Sequence, residues 1–566
     1  MSDVLLPVAI AVPLVAATLP LALGLKYDDA GWSVAAVATT ALTGIAAAIG
    51  VEVARGGALS HALGTYEPPI GIELVADELS VAVLALVAVV SLATLAFARV
   101  AGPRGNSFYS GYLLLVGGLT GLVLTGDLFN MFVFLEIVGI STYALIAADR
   151  SGASAYASLK YLVVGTVGAS LYLLGVGYAF LATGTLNMLD MQAQIVAQAS
   201  YADPLIRASY ALIVAGLGLK IAVFPIHAWQ PDAYQRAPDA VTTIVAALVS
   251  TASAYALIRV SYTVFTVDFL AANDAITTGM LIVAGASILA GSALAAMQSD
   301  LKRMFAYSSV AQFGMIVAAV ALANETALLG GIVHLVGHGL LKFGLFLGIG
   351  LLGLGYGARE LDDLASAARS APYTAGAVAL LGLGLVGLPP SIGFLGKWYI
   401  GVGAVEASMD GGGAAGIGIA AVIFVSTLFT LSYVARVIER FYFAGVGLSD
   451  GHGAGDHGDG HDGDHGDGHD GGHAEGGHDD GHNAGVAADG GRESPSAEAA
   501  DALIGGDDDG PLTPVEGAPR SRFVPDRVPP ASLAILILAA LATVALGFAG
   551  YALFEWFGPY LTEVFA

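Results

Sequence analysis

Fourteen apolar segments recur along the 566-residue chain, near 4–25, 31–53, 78–98, 109–125, 128–148, 160–182, 207–230, 240–265, 275–297, 303–323, 327–352, 374–401, 415–437 and 531–554. A helix rising 1.5 Å per residue needs about 20 such residues to cross a hydrocarbon core about 30 Å thick. The pattern therefore predicts an all-α polytopic membrane protein with about 14 transmembrane helices. Composition agrees, since 56% of residues are hydrophobic and 12% charged, and the mean hydropathy is +0.75. An ordinary soluble globule or soluble enzyme is excluded. The start, MSDVLLPVAIAVP, lacks the basic stretch of a cleaved signal peptide, so the first apolar run is expected to be retained.

The chain contains no cysteine, which excludes thiol catalysis, disulfides and cysteine-held iron–sulfur clusters. No cofactor is expected, and the chain does not read as an electron carrier or as an enzyme in its own right. Basic residues are strongly asymmetric: 16 lie in odd-numbered loops, and only Arg55 and Arg207 in even ones. The positive-inside rule then places the odd loops in the cytoplasm and both termini outside a cell membrane. The four remaining basic residues, Lys220, Arg259, Lys342 and Lys397, fall inside predicted helices. The net charge of −24, with 16 Arg against 6 Lys, fits a salt-rich, halophilic cytoplasm.

Ionisable groups inside such helices point to function. In DLFNMFVFLEIVGISTYALI, residues 127–146, Glu136 lies about nine residues into an apolar helix, or roughly 13 Å deep. A carboxylate there costs several kcal/mol and is seldom kept without an ion or proton to handle. Lys220 and Lys397 repeat the anomaly with opposite sign, each near proline: Pro225 lies five residues after Lys220, and Pro390 seven before Lys397. Proline breaks a helix and frees carbonyls that then need protein or water partners. A faint internal repeat, STASAYALIRV (250–260) against STLFTLSYVARV (426–437), lies five helices apart and would be inverted. The expected organisation is helices 1–3 over 1–108, two inverted five-helix repeats over 109–265 and 275–445 with helices 7 and 12 broken, an acidic loop over 446–530, and a last helix over 531–566. His334, His338 and Lys342, spaced i, i+4, i+8, share one helical face and suit a proton relay. A lone histidine in an apolar helix is otherwise a packing residue, which keeps that alternative open for His334.

Five motifs, in this order, resemble the antiporter-like subunit family shared by respiratory complex I, membrane-bound hydrogenases and Mrp-type multisubunit cation/proton antiporters. They are DLFNMFVFLEIVGISTYAL, GLKIAVFPIHAWQPDAYQRAPDAV, QSDLKRMFAYSSVAQFG, HLVGHGLLKFGLFL and GLPPSIGFLGKWYI, within residues 75–445. The first and last are most similar to the D subunit of Mrp antiporters. The resemblance implies a Glu136–Lys220 ion pair continued by His338, Lys342 and Lys397 as a polar axis for protons. It implies a further role as proton entry for His227 and Asp232, with Trp229 and Pro231, where an interfacial aromatic and a turn is the plainer alternative. It also exposes a departure: many members carry a lysine in the middle of helix 8, where this chain has Thr251. Thr251 with Thr242, Thr243 and Ser250 would hold water or a sodium ion there, or the central step would pass to His338.

Residues 445–530 hold 8 of the 12 histidines, 19 acidic and 4 basic residues. Too apolar-poor to fold, this stretch is expected to be a disordered cytoplasmic loop. His457, His461, His465 and His469 are weak metal candidates, and a solvated acidic insertion is the simpler reading. The expected function is proton translocation within an Mrp-type sodium/proton antiporter, with small hydrophobic subunits, protons, a monovalent cation and the lipid bilayer as partners and no nucleic acid. The alternatives are a proton-pumping subunit of a complex I-like or hydrogenase assembly, or a non-conducting scaffold.

Overall fold

A computed structural model describes residues 3–444 and 527–565, apart from positions 28, 67, 198, 199 and 366. Thirteen helices in it are long and apolar enough to cross a membrane: Leu5–Gly24, Ala30–Gly56, Glu78–Ala101, Asn106–Leu124, Leu128–Asp149, Gly152–Thr183, Pro204–Ile221, Asp239–Ala272, Asp274–Ala296, Leu301–Ala321, Glu325–Tyr356, Ala415–Tyr442 and Pro530–Phe548. The remaining crossing, twelfth in chain order, consists of two shorter arms, Pro372–Val386 and Ile392–Ala407. Crossing seven is also interrupted, stopping at Ile221 and resuming as Trp229–Arg236. The protein is thus an all-α polytopic membrane protein with the two expected broken helices.

The two five-helix repeats are visible as a repeated set of end structures. Asp127 caps crossing five and Asp300 crossing ten, each carboxylate accepting from the backbone N–H three residues on. Ser151 and Asn324 cap the next helices in the same way. Gly184 and Gly357 end those helices in the left-handed region, at φ 76° and 71°. Isolated bridges then pair Asp127 with Asn187 and Asp300 with Glu360. All four pairs of equivalent positions are 173 residues apart. Five crossings separate the two sets, so they lie on opposite faces and the repeat is inverted.

The breaks match as well. Ala222 and Gly387 adopt φ of 64° and 92°, each three residues before a proline, Pro225 and Pro390. A left-handed alanine costs about 1–2 kcal/mol that the glycine avoids. The lysines do not match: Lys220 precedes its break and Lys397 follows its own.

Crossings eight and ten are buried throughout their most apolar stretches, and crossing eleven nearly so. They form the middle of the bundle. Crossing eight contains two π-helical stretches, Val245–Val249 and Val260–Phe265, around Thr251 and Arg259. Three elements on one face have no counterpart in the sequence reading: an antiparallel hairpin pairing Leu59–Ala62 with Glu73–Ala76, the helix Met188–Ala197, and a final helix, Gly550–Phe565. The region 446–530, including His457, His461, His465 and His469, lies outside the described residues except for its end from 527.

Candidate functional site

Lys220 is buried at the end of the first arm of crossing seven, and its Nζ lies 3.2 Å from Glu136 Oε1. Glu136 is only half-buried, its side chain 27% exposed, so the carboxylate reaches the edge of this chain's bundle. Gly139, almost one turn beyond Glu136, keeps the approach open: a Cβ there would stand 3.2 Å from Lys220 Nζ. The carbonyls released by the break are taken up locally. Trp229 Nε1 donates to Leu219 O at 3.0 Å, and Ser250 Oγ to Lys220 O at 3.4 Å. Trp229 is fully buried rather than interfacial and stacks on Tyr161 at 3.8 Å.

Beyond the pair, the core is polar and unpaired. Among the described residues, eight buried side-chain atoms on crossings seven, eight, ten and eleven have no hydrogen-bond partner: Gln230 Oε1, Thr251 Oγ1, and both polar atoms of Gln312, His334 and His338. Each such atom costs about 1–3 kcal/mol when left dry. The concentration of them marks a place where water belongs, since buried water typically bridges two to four such groups. Crossings eight and eleven meet here, because a Cβ on Gly339, next to His338, would lie 3.0 Å from Ala247 O, one turn before Thr251. The four hydroxyls grouped in the sequence do not converge. Thr242 bonds Tyr234 O at 2.9 Å, Thr243 bonds Asp239 O at 2.8 Å and Ser250 accepts from Gln230 Nε2 at 3.2 Å, leaving Thr251 alone unpaired.

His334 and His338 lie on one face with ring centroids 6.3 Å apart, and Lys342 follows one turn later. Lys342 Nζ donates to Phe305 O at 2.6 Å and to Ser308 Oγ on crossing ten. Lys397 Nζ turns back across its break to Leu385 O at 2.8 Å and Val386 O at 3.0 Å. Lys397 therefore occupies the carbonyls that the break frees, and Leu385 is the residue that corresponds to Lys220 when the breaks are superposed in sequence. Gly396 lets crossing twelve touch crossing eleven at His334, where a Cβ would come within 2.6 Å of His334 Cβ. Neither lysine forms an ion pair among the described residues.

His227 is buried with Nδ1 unpaired, its ring 5.9 Å from that of Tyr307. Asp232 is tied to Lys160 at 2.6 Å and Arg303 at 3.0 Å. A few residues on, Asp239 holds Lys302 at 3.2 Å and Arg359 at 2.8 Å. These carboxylates gather charges from crossings six and ten and from the segment after crossing eleven onto the second arm of crossing seven and the start of crossing eight. Sequence reasoning passed over Gln230, Gln312, Tyr161 and the pair of Asp77 with Arg259. Arg259 donates to both oxygens of Asp77, at 2.5 and 2.7 Å, and to Ser80 Oγ at 2.9 Å. Burial alone would push the Asp77 carboxyl up, but the guanidinium outweighs it and holds the carboxyl below its ordinary value. The available signal was Arg259 inside an apolar helix, with Asp77 legible as the helix cap of DELS.

A bundle of this kind, with inverted repeats, two broken helices and buried lysines at the breaks, is that of an antiporter-like membrane subunit. The chain belongs to the NADH:quinone oxidoreductase/Mrp antiporter transmembrane family, whose model matches residues 125–424. It is 41% identical over 73% of its length to the N subunit of the NADH-quinone oxidoreductase of Desulforudis audaxviator, covering 81% of that protein. It is 31% identical over 67% of its length to the D subunit of the Na(+)/H(+) antiporter of Bacillus subtilis, covering 75% of that protein. Its fold superposes on a chain of the Mrp complex from Dietzia with a TM-score of 0.75 and 25% identity, covering 100% of this chain and 99% of that one.

Proposed function

We propose that this chain is the proton-translocating subunit of an Mrp-type multisubunit monovalent cation/proton antiporter, with sodium as the cation. The observation that carries the reading is the Glu136–Lys220 pair at a helix break, 3.2 Å apart, continued by four further basic groups, His334, His338, Lys342 and Lys397. A proton arriving on Glu136 cancels its charge and leaves the Lys220 ammonium uncompensated in an apolar setting. Lys220 then releases its proton more readily, because desolvation disfavours its charged form. Water held by Gln230, Thr251 and Gln312 carries it toward His338, Lys342 and Lys397. The half-exposed carboxylate of Glu136 suits a neighbouring subunit seated beside crossing five. His227 and Asp232 belong to an entry region on the face opposite the hairpin. The charge asymmetry of the loops orients the termini outward and the acidic loop toward the cytoplasm of a cell membrane.

A second reading is a proton-pumping subunit of a redox-driven, complex I-like assembly, favoured by the 41% identity to an N subunit of that class. Mild-detergent purification of the native complex separates the two. Small hydrophobic partners without redox subunits support the antiporter; a flavin or iron–sulfur arm overturns it in favour of the pump. Exchange that survives both Glu136→Ala and Lys220→Ala would remove the transport role altogether and leave a scaffold.

A further inference from the structure

Crossing five carries a second polar group on the face of Glu136. Tyr143 lies seven residues further on, and a helical side chain leans back toward the N-terminus, so its phenol reaches over Gly139 toward the ion pair. Its hydroxyl is buried and has no hydrogen-bond partner. Two glycines make room for it. A Cβ on Gly165, from crossing six, would overlap the Tyr143 hydroxyl, and a Cβ on Gly139 would stand 3.0 Å from it. That same Cβ on Gly139 would stand 3.2 Å from Lys220 Nζ, so the hydroxyl and the ammonium flank one open spot and lie no more than 6.2 Å apart.

The surroundings of the phenol are fixed. Ser158 Oγ on crossing six donates to Tyr143 O at 2.7 Å. The ring of Tyr161 meets that of Tyr143 edge-on, with centroids 4.7 Å apart, and is itself pinned by its stack on Trp229. Glu136 is the charged group that acts on both Lys220 and the Tyr143 hydroxyl. A buried hydroxyl without a partner calls for one. Lys220 can supply it: an ammonium has three donors, of which one is given to Glu136, and it rides on a flexible four-carbon stem.

We propose that the Tyr143 hydroxyl is a second acceptor for Lys220: when Glu136 takes up a proton and the ion pair is lost, the ammonium turns along crossing five and donates to the phenol oxygen. The inference rests on the reading that the chain conducts protons, and it adds a positioning residue to that reading. Tyr143 keeps its own proton throughout. Being neutral, the phenol holds the ammonium in place without compensating its charge, so Lys220 stays ready to release a proton.

The test places Tyr143→Phe, which removes only the hydroxyl, in the native chain and in Glu136→Leu, which removes the first acceptor. Each complete complex is purified, and exchange is measured in sealed vesicles. While the ion pair stands the hydroxyl is idle, so Tyr143→Phe in the native chain should leave the thermal midpoint unchanged or slightly raised. In Glu136→Leu the lysine has turned to the phenol, so the same substitution should lower the midpoint by about 2 °C or more. A hydroxyl that only fills space would shift both backgrounds equally. Exchange by Tyr143→Phe alone should fall about tenfold with the full set of subunits co-purifying. Equal midpoint shifts in the two backgrounds overturn the proposal, and so does native exchange in the assembled Tyr143→Phe complex. Glu136→Leu alone keeps the two readings apart: exchange that persists there contradicts the proton-carrying function, while unequal midpoint shifts still support Tyr143 as the second acceptor.

Discussion

The two halves of the bundle share a backbone and differ in how they hold charge. In the first, Lys220 faces a carboxylate, Glu136, at 3.2 Å. In the second, Lys342 and Lys397 donate to carbonyls and a hydroxyl and face no carboxylate among the described residues. The position matching His334 is Tyr161, 173 residues earlier, and it stacks on a tryptophan instead of joining a histidine series. The same inverted scaffold therefore supports an acid-paired lysine on one side and carbonyl-held lysines on the other. A paired lysine has a carboxylate beside it that compensates its charge; a carbonyl-held lysine has only neutral acceptors. On the proposed function, that asymmetry assigns the sensing of arriving charge to the first half and the passing on of a proton to the second.

The largest effects fall on the pair. Lys220→Ala should cut ion exchange by more than a hundredfold, about 2.7 kcal/mol or more, and Glu136→Ala should do nearly the same. Removing one partner of a buried pair costs up to about 3–5 kcal/mol, so Lys220→Ala should also lower the thermal midpoint of the purified complex. In the second half, Lys397→Leu should abolish exchange to a similar degree while lowering that midpoint less, because no opposite charge is stranded. A larger midpoint loss for Lys397→Leu than for Lys220→Leu would refute the contrast between the halves. Thr251→Val keeps the shape and removes an unpaired hydroxyl, so exchange should drop roughly tenfold with the midpoint unchanged or slightly raised. Deleting residues 452–520 should leave exchange within about twofold, since none of the groups assigned to the proton path lies there; a larger fall would give the histidines of that stretch a working role.

Much of this was legible beforehand because the membrane restricts the choices. Apolar length gave the crossings, and proline beside lysine marked both breaks, since a freed carbonyl at that depth must find a partner. Glu136 with Lys220, and the i, i+4, i+8 spacing of His334, His338 and Lys342, were readable as unusual charges on definite faces. The hairpin escaped notice because four-residue strands in a long polar loop carry little periodicity. The way Lys397 folds back across its break is a rotamer choice that spacing does not encode. The room for the Tyr143 hydroxyl depends on Gly139 and Gly165, glycines on two helices that only the fold brings together.

The central claim is that protons pass through the Glu136–Lys220 pair. Its most direct test is proton-coupled cation flux in vesicles containing the complete complex, with Glu136→Gln, which retains size and removes charge, against the native chain. Flux should be at least a hundredfold lower with the same subunits co-purifying. Flux at the native level in a fully assembled Glu136→Gln complex would contradict it.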